Sequence, residues 1–287
     1  MKPLLFPAKL AARLGRLAFN RRSGRLGHHK GTHLSKKSGA SMEFSDFKEY
    51  HPGDDIRHID WNVYARTDTY FIKQFLDEQE MRIHVLLDSS KSMDFGGKWP
   101  FAQQLAIGLG QIALKNGDTA SLSRTPDPAV VRRKGARQAD AWSARIAAFP
   151  VPEENTGLQE GIPSIPRGTT ILFVITDALE PAEVLEQTFR KLKARCQDIR
   201  LLIVRSADEQ QPAFEGDVRL IDAEQDTAAE VSMTAASVSA YTRRMEEHER
   251  RLLGHAGKYG ISVLYTSPAD GAEDVFTRQM RRAQWVR

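Results

Sequence analysis

Two short runs, apolar except for His84, Ile83-His84-Val85-Leu86-Leu87 and Ile171-Leu172-Phe173-Val174-Ile175, each stop at an acid: Asp88 in the first case, Asp177 after Thr176 in the second. Short continuous apolar runs bounded by polar residues mark strands buried on both faces, the environment of a parallel sheet. Such strands must be covered by helices above and below, which restricts the chain to α/β architectures. The polar residues that end each run then fall at the carboxyl ends of the strands, the edge where open α/β sheets hold their ligands.

The punctuation elsewhere agrees with a doubly wound, mostly parallel sheet. Trp99 to Lys115 has helical apolar spacing and is stopped by Asn116-Gly117; Gln138 to Phe149 is a second helix ended by Pro150 and Pro152. Pro181 starts a third helix through Ala194, and Ala236 to Ala256 reads as a long charge-rich one. Between them lie strand patterns at Thr119–Ser123, Ala129–Arg132, Ile199–Val204 and Ile261–Tyr265. Val218–Ile221 and Glu230–Met233 read as a small hairpin, and the chain finishes on a C-terminal helix. Three segments follow: a basic arm over residues 1–27, an irregular N-terminal segment over 28–80 packed on the main domain, and the α/β domain over 81–287.

Charge is unevenly placed. Ten Lys or Arg fall within residues 1–37, and the first acid is Glu43. The net charge is only +4, so the rest of the chain is net acidic and a poor surface for nucleic acid. Leu10, Leu14, Leu17 and Ala18 share one helical face, with Lys9, Arg13 and Arg16 elsewhere. A short basic amphipathic helix of this kind could rest on an anionic membrane surface or a partner; a frayed arm packing loosely on its own domain is the preferred reading. His28, His29 and His33 sit among Lys30, Lys36 and Lys37 and read as a solvated basic loop rather than a metal site. One cysteine, Cys196, excludes an internal disulfide. Leu4-Leu5-Phe6 is cut by Pro7 and basic residues, unlike a secretory leader, and a cytoplasmic location is expected.

Asp88, Ser90 and Ser92 are hard oxygen donors at alternate positions, and an extended turn can converge them on one small cation. The element resembles the Asp-x-Ser-x-Ser loop of the metal-ion-dependent adhesion site in von Willebrand factor A domains. Upstream, Glu43-Phe44, Tyr50, Pro52-Gly53-Asp54-Asp55, Arg57, Ile59-Asp60-Trp61 and Ala65-Arg66-Thr67 form a block that, followed by the Asp88 loop and Lys98, resembles the bacterial domain-of-unknown-function family 58. The resemblance runs from about Gly27 onward. It implies a von Willebrand A-like, doubly wound fold, a divalent-cation site, no established enzymatic activity, and a MoxR-type AAA+ ATPase as partner in chaperone-like work on a client. Within the block, Asp54, Asp55 and Asp60 could be a second metal cluster, but pairing with Arg57 and Arg66 is the preferred reading.

An adhesion site of this type takes ligands from three loops at one sheet edge. Asp177 supplies the third. The second should be a threonine: Thr169 and Thr170 precede their strand and belong at the opposite edge, whereas Thr156 follows a proline-bounded loop and opens a short helical run. Thr156 is therefore chosen, although Glu154-Asn155-Thr156 departs from the family's usual Gly-Gly-Thr. The expected metal set is Asp88, Ser90, Ser92, Thr156 and Asp177, with Mg²⁺ first and Mn²⁺ or Ca²⁺ as alternatives. Only two of these ligands carry charge, so a bound cation would favour one more anionic oxygen, such as a partner's Glu or Asp.

The expected function is thus non-enzymatic docking of a protein partner through a divalent cation. The rival is a metal-dependent hydrolase or phosphoryl-transfer enzyme using the same site. No Gly-x-Ser-x-Gly elbow and no glycine-rich phosphate loop supports it. Cys196 has no evident base beside it, His84 lies inside a buried strand, and Lys91 is no more than a surface charge. The basic arm offers a third alternative, a sequence-blind nucleic-acid or membrane-surface binder.

Overall fold

The computed structural model describes residues 6–21, 43–76, 80–127, 129–210, 216–221 and 228–287. The chain divides into two compact units, one of residues 1–25 with 81–287 and one of residues 26–80. His28, His29 and His33 lie outside the described residues.

In the larger unit six strands form one sheet: β1 (Arg82–Leu87), β2 (Thr119–Arg124), β3 (Val131–Lys134), β4 (Ile171–Thr176), β5 (Asp198–Val204) and β6 (Ser262–Thr266). Their spatial order is β6-β5-β4-β1-β2-β3. All neighbours are parallel except β3, which runs antiparallel to β2 at the edge. The chain therefore moves one way from β1 to β3, then returns and moves the other way from β4 to β6. The reversal lies between β1 and β4, paired in register from Ile83↔Ile171 to Leu87↔Ile175. A crevice opens outside the carboxyl ends of the strands at such a reversal, and Asp88 and Asp177 end the two strands that flank it.

Strand side chains alternate between faces, and here both faces are buried. Ile83, Val85, Leu87, Phe173 and Ile175 join one apolar cluster with helices α1 (Lys98–Lys115) and α2 (Ala139–Ala147). Leu86, Leu172, Val174, Leu201 and Ile203 join the other, with α3 (Ala182–Arg195) and α4 (Ala235–Lys258). This is the doubly wound architecture expected from the sequence. The hairpin Gly216–Ile221 with Ala228–Met233 also forms, and the C-terminal helical segment spans residues 272–282, with a π turn over Val275–Gln279.

The amino-terminal segment departs from a loosely packed arm. Helix Ala8–Leu14 puts Leu10 and Leu14 into the first cluster, followed by Leu17 and Phe19. Leu14 has no exposed surface, and burying each such side chain is worth about 1.5–3 kcal/mol. The backbone then pairs with the other end of the chain: Ala18 N–H donates to the Arg287 carbonyl at 3.2 Å, and Arg287 N–H donates back at 2.9 Å. Buried Arg200 adds a cross-link, donating to Asp198 Oδ2 at 2.9 Å and to the Trp285 carbonyl at 2.8 Å. On the helix and the turn after it, Lys9, Arg13 and Arg16 are exposed, off the apolar stripe.

The smaller unit is more regular than the irregular segment expected over residues 28–80. Strands Glu43–Glu49 and Phe71–Leu76 pair antiparallel with a register shift between Phe44 and Asp46. Helix Trp61–Thr67 begins at Asp60, whose side chain accepts from the N–H groups of Asn62 and Val63. That N-cap was readable as an acid just ahead of the helical residues.

Candidate functional site

The loop after β1 carries three of the candidate donors. Asp88 N–H donates to the Ile175 carbonyl at 2.9 Å, which extends the β1–β4 ladder one residue past both strands and holds Asp88 against the end of β4. Asp88 Oδ1 accepts from Ser90 N–H at 2.9 Å, a tight turn that brings Ser90 and Ser92 together with their hydroxyl oxygens 3.1 Å apart. Asp88 Oδ2 accepts from the Thr176 hydroxyl at 2.6 Å. All three donors are buried, as is Asp177.

Thr156 reaches the same place from the loop after α2. Lys91 N–H donates to the Glu154 carbonyl at 3.0 Å, tying that loop to the Asp88 loop. The Thr156 hydroxyl is half-buried and lies 3.4 Å from that of Thr125, which itself lies 3.4 Å from Asp88 Oδ1. Thr169 stays at the opposite edge, bonded to the Pro166 carbonyl. The five sequence-derived residues thus gather at one edge, and Thr125 and Thr176 join them. The sequence reading missed Thr125, since the end of β2 carries no apolar-run-to-acid signal. Thr176 was passed over as the last residue of its strand.

A buried ion cluster adjoins Asp177. The ammonium of Lys98, wholly buried at the start of α1, donates to Asp177 Oδ2 at 2.8 Å and to Glu209 Oε1 at 2.5 Å. Glu209 is fixed by a reciprocal cap: Ser206 N–H donates to Glu209 Oε2 at 2.8 Å, and Glu209 N–H to Ser206 Oγ at 3.2 Å. That Ser-x-x-Glu capping box was legible in the sequence. Gly96 allows the approach, with φ +60°, because a Cβ there would meet Ser206 Cβ at 2.3 Å. Buried Arg205 donates to the Asp177 carbonyl.

The electrostatics of the edge follow from this crowding. Burial and the nearby Asp177 carboxylate push the Asp88 acid up to about 6, against hydrogen bonds from Thr176 and Ser90 that favour its charged form. A cation near both carboxylates would relieve that repulsion. Among the described residues no group of three His, Cys, Asp or Glu comes together, so the set is mixed: two carboxylates and three hydroxyls, all hard oxygens. That chemistry fits Mg²⁺, which takes few carboxylates and keeps several waters.

The other candidates resolve differently. Asp54 pairs with Lys48 at 2.7 Å, Asp55 with Arg57 at 2.6 Å, and Asp60 caps its helix. These acids serve three separate contacts instead of one cation, although Arg66 donates to the Asn62 carbonyl rather than to an acid. His84 is buried between the hydroxyls of Ser121 and Ser123, each at 2.9 Å. Cys196 is buried and its thiol pushed up by burial, the condition of an inert structural cysteine.

The family described as a protein of unknown function, DUF58, has a model that matches residues 46–251, well over half the chain. The chain belongs to DUF58. This DUF58 protein is 26% identical to the uncharacterized protein Rv1480 of Mycobacterium tuberculosis, over 84% of its own length and 79% of that protein's. The same figures hold for the uncharacterized protein Mb1516 of Mycobacterium bovis. Solved structures similar to the DUF58 chain include BatB from Bacteroides thetaiotaomicron (12% identity, TM-score 0.40, 70% of this chain and 98% of that one). Another is the SpRpn10 VWA domain (10% identity, TM-score 0.40, 70% of this chain and 95% of that one). Among the described residues of this DUF58 protein, no helix is long and apolar enough to cross a membrane.

Proposed function

We propose that this DUF58 protein is a non-catalytic, cytoplasmic interaction module that docks a partner through a divalent cation at the carboxyl edge of its sheet. Asp88, Ser90, Ser92, Thr156 and Asp177 would hold the ion, Mg²⁺ first, with Thr125 and Thr176 fixing Asp88. One observation carries the reading: donors from the loops after β1, α2 and β4 gather at the point where the sheet reverses direction. A cation there would supply a Lewis-acidic position for one further anionic oxygen, such as a carboxylate on the partner.

The surface beside the site is mixed in charge, since Arg251 pairs with Glu247 at 3.0 Å and Glu183 at 3.6 Å, so the preference for an acidic partner rests on the cation. His248 on α4 bonds the Ala178 carbonyl at 2.8 Å, placing this part of α4 next to the Asp177 loop. A cleft of about 220 Å³ opens there, lined by Ala182, Arg244, Glu247, His248 and Arg251. Leu179 is exposed on the same loop. The family resemblance points to a MoxR-type AAA+ ATPase as the partner, with the pair acting in a chaperone-like way on a client.

The test is capture of the MoxR-type ATPase from the same organism on tagged wild type and on folded Asp88→Ala, each with Mg²⁺ and with chelator. Retention by wild type in Mg²⁺ alone is the expected result. Capture indifferent to both chelator and mutation would sink the reading and move attention to residues 1–37 or the Glu43–Thr67 block.

A further inference from the structure

We propose that Lys98 is a built-in counter-cation that competes with the divalent cation for Asp177 and so lowers the chain's own affinity for metal. The inference rests on the cation reading above and concerns the regulation of that same site.

Three observations carry it. Lys98 has no exposed surface, yet its ammonium lies 2.8 Å from one oxygen of Asp177, a carboxylate the cation would need. An ammonium has three donors and no acceptor, and here two of them are used by Asp177 and Glu209. Like charges so close in a poorly solvated place repel strongly, so metal and ammonium cannot both use Asp177 at full strength.

Second, the position has no local reason to be a lysine. Lys98 is the first residue of α1, with no acid in that first turn, and a cation there opposes the helix dipole. Its charge is retained by Asp177 and Glu209, from two other connections.

Third, Glu209 is locked in place by its reciprocal cap with Ser206. It shares Lys98 with Asp177 and draws part of the ammonium's charge away from the site. Removing Lys98 and removing Glu209 should then act in opposite directions on metal binding.

If Lys98 instead only holds Asp177 in position, its loss would weaken metal binding, so the sign of the effect discriminates. The experiment is titration of the full chain with Mn²⁺, followed by electron paramagnetic resonance, for wild type, Lys98→Met and Glu209→Gln, with circular dichroism confirming each fold. The expected result is at least tenfold tighter Mn²⁺ binding by Lys98→Met and several-fold weaker binding by Glu209→Gln.

Equal or weaker binding by Lys98→Met, with wild type binding normally, overturns the inference and leaves the cation reading standing. Binding by Lys98→Met but not by wild type supports the competition and removes metal-bridged docking from the native chain. No Mn²⁺ binding by any variant at millimolar concentration overturns both. Should Lys98→Met fail to fold, Lys98→Gln takes its place with the same outcomes: tighter Mn²⁺ binding supports the proposal, and equal or weaker binding overturns it.

Discussion

Burial determines which form of His84 the fold can hold. Both ring nitrogens are bonded to serine hydroxyls inside the sheet, and loss of water pulls its pKa down to about 3, against an ordinary 6.5. A proton taken up by His84 therefore favours the unfolded chain. Its contribution to stability is complete above pH 6.5 and is lost as pH falls toward 3, amounting to about 2 kcal/mol by pH 5. Asp88 works in the opposite sense: its acid is raised to about 6 from 3.8, so protonation there favours the folded chain. The difference between two curves carries the test, since the Asp88 contribution cancels. Between pH 7 and pH 5, wild type should lose about 2 kcal/mol relative to His84→Gln in urea unfolding. Parallel curves would show that His84 is not held neutral. The same residue shows how far sequence reading reaches: a histidine within a buried apolar run is recognisable as a core residue, while the serines that satisfy it lie on another strand and cannot be seen in its spacing.

At the scale of elements, legibility depended on whether an element's partners are local. The strands β1 and β4 declare themselves because burial on both faces makes nearly every residue of their inner stretches apolar, His84 excepted. Strand Glu43–Glu49 does not, because it exists by pairing with Phe71–Leu76 and its pattern need satisfy only that neighbour. The amino-terminal helix is an intermediate case. Leu10, Leu14 and Leu17 mark its face, but nothing in their spacing says that the face meets α1 and the carboxyl terminus. That packing makes a quantitative demand. Leu14 is fully buried, and truncating such a leucine leaves a cavity that costs about 2–5 kcal/mol. Leu14→Ala should lower the urea midpoint accordingly, whereas Arg16→Ala, on the exposed side of the same segment, should change it little. A Leu14→Ala effect below about 0.5 kcal/mol, the range of ordinary surface substitutions, would mean that the segment is an arm after all.

For the molecule as a whole, the strand order matters more than any one ligand. Asp88 and Asp177 are far apart in sequence, and they meet because β1 and β4 are neighbours at the reversal of the sheet. Sequence could place both at one edge; it could not supply Thr125 from β2, or the Lys98–Glu209 pair that joins α1 to the turn after β5. A site assembled from so many connections does not exist in the unfolded chain, so whatever binds it stabilises the fold by mass action. At a cation concentration one hundred times its dissociation constant the gain is about 2.7 kcal/mol. For a unit of this size that raises the melting temperature by roughly 5–11 °C. Asp88→Ala should show a melting temperature that ignores Mg²⁺ and Mn²⁺, whatever its own starting stability. A wild-type melting temperature indifferent to both ions at millimolar concentration would overturn the cation reading, because a site built at the sheet's switch point is absent from the unfolded chain and any binding to it must stabilise the fold.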